Sequence, residues 1–500
     1  MSYDNLADFL SELEDEGELV RISPEVNSNG EIAEVTRRVC QSSDASPALL
    51  FDNVAGQSIP VVTNLLGSEK RLCKALAAKS FDEVAQRLIT LVRPELPESW
   101  LDSLKLVPNL AQLTKLPPKT VKTGLCQQVV KMGSDVNLST LPVPKSWPQE
   151  SNPCMTAAQV FTQHPETGVR NVGLYPVEIL SDQSVTIHWN SHNDGFEHWQ
   201  SYREKNRQMP VAIVLGGNPV HTLMAAAPLP PATDECLLGS ILSGKNLELV
   251  KCRSHDLEVP AFAEIVLEGF ISAETELDST GPIALPTGFA SVNSESTSVQ
   301  ITAVTHRANP VFPSIVFGQP VSETDWLARA CERIMLPFVR LYLPEIVDVH
   351  RPFSGASRNI LFVSINKTFP QQAQKVMNAL WSLKSFMTTK LIVVVDKSVP
   401  VQSESAVWFA AGAHVHPGRD VIFNTGPGDM LDHAAPAVGL GHKMGIDATE
   451  KLSAEGHPRT WPDLLAADKT VERLVKQRWQ EYGLEKILPA IKFNDESSPS

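Results

Sequence analysis

The spacing of apolar positions divides the chain into stretches of different period. In NLADFLSELEDEGELVRI (5–22), Leu6, Phe9, Leu10 and Leu13 recur on one helical face. Asn5 or Asp4 can cap that helix, Gly17 ends it, and ELVRI reads as a strand. EIAEVTRRVC (31–40) predicts a second helix, PALLFDNV and IPVVTNLL (47–66) predict strands, and residues 72–92 predict a longer helix broken by PELPE. Residues 94–150 are rich in proline and read as an extended connector, not a packed element. From about 155 to 320 short β-type segments dominate, among them AAQVFTQ, SVTIHW, PVAIVLG and VQITAVTHR. Helices interrupt them only near 196–207 and 234–243, so a sheet or barrel domain is expected. From about 323 helix and strand alternate, which predicts an α/β domain with a parallel sheet. Residues 468–484 form an amphipathic helix with Val471, Leu474, Val475 and Trp479 on one face, expected to pack on its own domain or on a neighbouring subunit. The final NDESSPS is a polar tail, expected to be disordered.

Composition narrows the function classes. With 500 residues, 42% hydrophobic and 20% charged, the chain reads as soluble and globular, with two to four domains. A net charge of −14 argues against binding a nucleic-acid backbone, which needs a basic face. The seven cysteines are scattered without a C-x-x-C, which argues against a disulfide framework or zinc ribbon and fits a reducing cytoplasm. MSYDNLADFL lacks the basic region of a signal peptide, and no apolar run approaches the ~18–20 residues of a membrane span. His414 and His416, in HVHPGRD, would share a face in a strand and could bind metal there, although a polar pair near a strand end is the plainer reading.

Two long segments carry a family signature: LELVKCRSHDLEVPAFAEIVLEGFI (247–271) and GLGHKMGIDAT (439–449). Together with the opening DFLSELEDEGELVRI they resemble the UbiD family of decarboxylases, over residues 5 to about 485. The resemblance implies an α/β (α+β) fold with an N-terminal α/β segment over 1–120 and a split β-barrel domain over 121–322. An α/β oligomerisation domain over 323–465, a C-terminal helix over 466–492 and the tail 493–500 follow. It also implies prenylated FMN with Mn²⁺ or Mg²⁺, and reversible, non-oxidative decarboxylation of aromatic or α,β-unsaturated acids. Implied partners are a small aromatic acid, a flavin prenyltransferase that supplies the cofactor, and further subunits, either copies of this chain or a UbiD-type homologue.

Carried onto this chain, the resemblance assigns the metal to Asn171, His192 and Glu235. An amide oxygen, an imidazole and a carboxylate suit Mn²⁺ or Mg²⁺ better than a thiolate set would. It assigns the cofactor to Leu174, Tyr175, Pro176, His188, Trp189, Asn190 and Lys443, the last set among Gly439, Gly441 and Gly445, which let backbone N–H groups approach a phosphate. The chain departs from the family pattern elsewhere. The family loop Arg-Trp-x-Ser-His-Arg-Gly reads HWNSHND here, with two arginines missing and Asp194 added. The family's Glu-Arg-Glu network falls on Thr280, Pro176 and Leu285, in the acid-free TGPIALPTGF and in LYPVE. Pro176 also lacks an N–H, so its strand must lie at an edge or a break. Glu178, two residues past Pro176, and Asp278, two before Thr280, are the candidate replacement acids. Three readings follow: an active carboxy-lyase with rearranged acids, a non-catalytic homologue serving as partner or scaffold to an active enzyme, and a metal- or ligand-binding protein that has lost the flavin.

Overall fold

In the computed structural model, a thirteen-residue strand, Ser294–His306, organises the middle of the chain. The structure describes residues 3–42, 46–92, 116–230, 233–291, 294–457, 459, 461–462, 464–465 and 467–484. We number the ten strands of its sheet in chain order: β1 Val129–Met132, β2 Cys154–Met155, β3 Gln159–Gln163, β4 Arg170–Leu174, β5 Val177–Ser181, β6 Ser184–His188, β7 Met209–Leu215, β8 Ile265–Ile271, β9 Asp278–Thr280 and β10 Ser294–His306. They run in the order β2-β5-β6-β10-β8-β7-β3-β4, with β9 and β1 also paired to β10, and the sheet curls into a half-barrel. Every pairing is antiparallel.

Both faces of this sheet are covered, which explains its near-continuous apolar runs. Strand β7 puts Val211, Ile213 and Leu215 into one core and Ala212 and Val214 into another. Helices Asp194–Glu204, Val220–Ala226 and Glu235–Ser243 interrupt the strands. The middle one escaped the sequence reading because its seven residues are too few to show a clear period.

The N-terminal segment behaves as its pattern predicts, with one exception. Helix Leu6–Asp15 is capped by Asn5, whose side-chain oxygen accepts the Asp8 N–H at 3.1 Å, and it buries Leu6, Phe9, Leu10 and Leu13. The helix expected over 72–92 is two, Glu69–Ala75 and Phe81–Val92, separated where Ala77 takes a φ of 48°. Strands Leu19–Ile22, Ala48–Phe51 and Val61–Thr63 form a sheet that Phe312–Ser314 completes from far along the chain.

The expected connector is in part a packed element. Residues 93–115 lie outside the described residues, but from 116 onward the segment is tied down. Lys119–Val121 pairs with Glu248–Lys251, and β1 pairs with β10. Leu138, Leu141 and Val143 are buried in the core on one face of the sheet. Prolines set the extended conformation here, while the aliphatic residues between them supply the burial.

After helix Glu323–Tyr342 comes a five-stranded sheet in the order Ile346–His350, Ile360–Ile365, Leu391–Asp396, Leu440–Asp447, Val421–Pro427. The central three strands are parallel, as expected, and the two edges are antiparallel. His414 ends helix Glu404–His414 and His416 precedes the turn Pro417–Asp420, so the two do not share a strand face; His414 Nδ1 lies 3.0 Å from the Ala448 carbonyl.

The chain divides into units 1–449 and 450–500. In the second, Lys469–Gln477 is helical, shorter than the expected 468–484, and Asp468 caps it by accepting the Thr470 N–H at 2.8 Å. Its Val471 and Leu474 are exposed. Residues 485–500, which include the expected disordered tail, lie outside the described residues. Among the described residues no helix is long and apolar enough to cross a membrane.

The glycine of EIVLEGFI has a steric cause. A Cβ on Gly269 would stand 2.3 Å from the Gln300 carbonyl, at the point where the β8–β10 register shifts. Gly269→Ala should therefore cost about 1–3 kcal/mol, read as a lower urea midpoint.

Candidate functional site

Strand β4 sets out the first cluster. Asn171, Gly173 and Tyr175 alternate onto one face, and Arg170 and Val172 onto the other. Arg170 pairs with Asp234 at 3.1 Å and Glu258 at 3.0 Å. Asp234 in turn caps helix Glu235–Ser243 through the Cys236 N–H, which fixes the first turn of that helix beside the strand. The Glu235 carboxylate accepts the Val172 N–H at 2.9 Å. Burial pushes the Glu235 carboxyl up to about 7, with the Val172 amide opposing and Asp234 and Asp194 adding to the rise. Asn171 donates to Thr162 Oγ1 at 3.4 Å, and Thr162 also meets His198 Nδ1 at 2.9 Å.

Asn171 and Glu235 are thus brought to one locality. The Tyr175 ring folds back over Gly173, where a Cβ would stand 2.3 Å from it, and packs edge-on against Trp189. Tyr175 Oη and Asn171 Nδ2 also crowd Gly195, one residue past Asp194. No described contact ties His192 to the other two ligand candidates. Its Nε2 is buried with no hydrogen-bond partner, in a turn where its own N–H donates to Asn190 Oδ1 at 3.2 Å. Asp194 opens helix Asp194–Glu204 and is paired with Lys384 from the α/β part. A cation already neutralises the acid that departs from the family pattern.

Lys443 is not in a turn. All of GLGHKMG but its first residue lies in strand Leu440–Asp447; Gly439 takes a φ of 85° just before it, while Gly445 serves close packing, since a Cβ there would stand 2.2 Å from Met377 Sδ. The Lys443 ammonium donates to the Pro427 carbonyl at 3.0 Å and to the Met387 carbonyl, and burial lowers its pKa. Leu174 packs at the margin of one apolar core. Trp189 is buried and donates to Thr297 Oγ1 at 2.7 Å.

The second cluster is a row across four strands. Asp278, Ser296 and His188 are successive cross-strand partners on β9, β10 and β6, and the His188 N–H donates to the Pro176 carbonyl at 3.1 Å. Pro176 sits in the break between β4 and β5, as its missing N–H requires. Glu178 points inward and is wholly buried, its carboxylate 3.1 Å from His188 Nε2 and accepting from Asn152 Nδ2 at 2.8 Å. Asp278 is exposed. Thr280 Oγ1 lies 3.3 Å from Ser296 Oγ.

Leu285 joins Ile283 and Leu431 in a small buried aliphatic cluster, with Met430 against it. The loop is held there by Thr287, which hydrogen-bonds His433 Nε2 at 2.7 Å, and by Phe289 packed on the His433 ring. Leu285 and Phe289 also line a cavity of about 380 Å³, together with Trp147, Glu150, Phe317 and Arg37. Glu150 escaped the sequence reading because it stands in the proline-rich stretch taken for a connector. Its one local signal was the three-residue spacing from Trp147, whose N–H its carboxylate accepts at 2.9 Å.

Among the described residues one trio of His, Cys, Asp or Glu brings its ligand atoms within 4.8 Å of one another: Cys252, His255 and Glu268. Glu268 is already saturated, accepting the N–H groups of Arg253 and Ser254 and the Ser254 hydroxyl at 2.7–2.9 Å. Burial pushes the Cys252 thiol well above its ordinary range. Such a carboxylate buttresses a turn, with its Oε2 taken up by three of these contacts.

The Glu178–His188 pair gives a direct test of what holds the row. His188→Leu removes one partner of a buried carboxyl and should cost about 1–3 kcal/mol or more. A Glu178→Leu/His188→Leu double variant should recover part of that loss, read by urea denaturation as a double-mutant cycle.

Comparison with known proteins accounts for this arrangement. Models of the 3-octaprenyl-4-hydroxybenzoate carboxy-lyase N-terminal, Rift-related and C-terminal domains match residues 10–88, 119–320 and 325–448. An uncharacterized protein of Aquifex aeolicus is 41% identical over 97% of this chain and 99% of its own. The vanillic acid decarboxylase of Sedimentibacter hydroxybenzoicus in closed form is 28% identical, with a TM-score of 0.85 over 96% of this chain and 99% of that one. Its open form gives 0.75 over 97% and 100%. An evolved dimeric form of the UbiD-class enzyme HmfF from Pelotomaculum thermopropionicum, in complex with prFMN, is 26% identical, with a TM-score of 0.75 over 94% of this chain and 98% of that one. With all three domain models matched in order along the sequence, the chain belongs to the UbiD family of decarboxylases.

Proposed function

We propose that the chain catalyses non-oxidative decarboxylation, or the reverse carboxylation, of a small aromatic or α,β-unsaturated acid, using prenylated FMN and a divalent metal. The observation that carries this reading is the first cluster. Glu235 is buried with no cation of its own, its neighbours Asp234 and Asp194 being paired with Arg170 and Lys384; Asn171 stands in the same locality, and His192 Nε2 is buried without a partner. A carboxylate in that position lacks a counter-charge, and an unpaired imidazole nitrogen lacks a proton donor or a cation. Mn²⁺ or Mg²⁺ supplies both needs, and an oxygen-rich set with one imidazole suits either ion.

Asn171, His192 and Glu235 would hold the metal, and Lys443 would stand on the cofactor's phosphate side. Prenylated FMN, when bound, supplies the electron sink for the carbon that loses CO₂. The chain's own contribution is to bind and orient the acid and to exclude water. The cavity beside Leu285 is walled by Trp147, Phe289 and Phe317, which suits a single ring, and Arg37 at its edge is held by Glu34 at 2.8 Å. The vanillic acid decarboxylase likeness and the prFMN complex of HmfF support the same substrate class and cofactor.

A second reading, a non-catalytic subunit paired with an active homologue, draws support from Leu285, which is packed in an aliphatic cluster where the resemblance expects an acid. Co-purification with an intact family member is its test.

Protein co-expressed with a flavin prenyltransferase should carry prenylated FMN by intact mass and about one Mn²⁺ per chain by elemental analysis, as a mononuclear site requires. Glu235→Ala should lose most of that metal and abolish exchange of labelled CO₂ into the acid. A variant that keeps both sinks the metal assignment. The α/β part is the proposed self-association surface, since Phe409 and Phe423 are 66% and 79% exposed. Phe423→Glu should shift the light-scattering mass to a smaller species.

A further inference from the structure

The loop that the resemblance expects to carry acids has none, yet a carboxyl group stands against it. Glu150 is 3% exposed and lines the same cavity as Leu285 and Phe289. Its Oε1 accepts the Ala284 N–H at 3.4 Å, one residue before Leu285, and its Oε2 accepts the Trp147 N–H at 2.9 Å. The segment that carries it is pressed onto the loop. The Ser151 N–H donates to the Pro282 carbonyl at 3.0 Å, and a Cβ on Gly281 would stand 1.8 Å from Ser151 Oγ. Only glycine at 281 lets Ser151, and with it Glu150, come this close. One residue further, Asn152 holds Glu178.

We propose that Glu150 is the proton donor of the decarboxylation, delivering from the neighbouring segment what the 280–289 loop cannot. The proposal rests on the carboxy-lyase reading above. In the step, the bond from the substrate carbon to its carboxylate breaks and CO₂ leaves. The electron pair stays with the carbon, the Glu150 O–H bond breaks, and its proton forms the new C–H bond. The Glu150 carboxylate left behind is held by the Trp147 and Ala284 amides until solvent reprotonates it. Carboxylation runs the same transfer backwards, with the carboxylate as base.

The surroundings suit this role. Burial raises the Glu150 pKa, the Trp147, Ala284 and Ser146 amides and Lys145 oppose the rise, and the group is kept nearer protonation than a surface acid. Facing or behind it stand Arg37 across the cavity, and Cys154, which feels the charges of both Glu150 and Glu178. A buried carboxyl group with a raised pKa that borders the cavity is better placed to give up a proton there than a surface acid.

The test uses protein loaded with prenylated FMN and metal, with vanillate, 4-hydroxybenzoate and cinnamate as probes and CO₂ release as readout. Glu150→Gln should retain cofactor, metal and melting temperature and lose about 10²–10⁴-fold in kcat, with little change in KM. Glu150→Asp should retain partial activity with a displaced basic limb in the kcat–pH profile. That limb, where rate falls as pH rises and the donor deprotonates, should vanish in Glu150→Gln. An active wild type whose Glu150→Gln variant stays within about tenfold in kcat overturns the Glu150 assignment alone. A loaded wild type that releases no CO₂ from any probe overturns the carboxy-lyase reading and this proposal with it. If Glu150→Gln fails to load cofactor, Glu150→Asp decides: an unmoved basic limb overturns the assignment.

Discussion

Strand β10 is the constraint on which the rest of the molecule depends. It pairs with β6, β8, β9 and β1, so its register sets the heights of four other strands at once. Because successive residues of a strand point to opposite faces, a slip of one residue would invert every side chain it carries. Ser296 would then leave the row with His188 and Asp278, and Thr297 would lose the indole of Trp189. The 280–289 loop hangs from the same strand through Thr280. Burial on both faces makes that slip costly, and the site inherits its precision from the sheet.

The first cluster is built on a different balance. Helix Glu235–Ser243 is pulled into place by Arg170 on Asp234, and the next residue, Glu235, is carried into the interior as a result. Two amide hydrogen bonds, from its own N–H and from Val172, do not offset the desolvation of the carboxylate, which is why its pKa rises. Buried acids of this kind cluster at functional sites. Asp194 illustrates the alternative: Lys384 reaches it across 190 positions of sequence and leaves it neutralised.

Much of the fold was legible because period and burial agree. Leu6, Phe9, Leu10 and Leu13 all became core, and most of the short β segments became one sheet, with Glu248–Lys251 in a smaller one. Pro176 announced a break by its missing N–H, and a break is there. What escaped was information held in distant contacts or in misleading composition. Prolines around Leu138 and Val143 suggested a bare connector, although the aliphatic residues between them are buried. The glycines around Lys443 did not announce a strand, yet Gly441 and Gly445 lie in one where a side chain would crowd its neighbours. Glu178 and Asp278 looked equivalent by spacing, yet β5 lies inside the sheet and β9 covers only one end of β10, so one is buried and the other wet. Spacing offered only the Trp147 contact for Glu150, because its place beside the 280–289 loop depends on Ala284, 134 residues away.

The Leu285 anchor makes a charged side chain hard to accommodate at its position. Its side chain sits among Ile283, Leu431 and Met430, on a contact that joins the barrel to the α/β part. An acid at 285 would bury a carboxylate in an aliphatic nest, at a cost of several kcal/mol in a molecule whose whole margin is about 5–15 kcal/mol. The 280–289 loop thus works as a rivet between the two parts, and an acid at 285 would need Leu431 and Met430 to change with it.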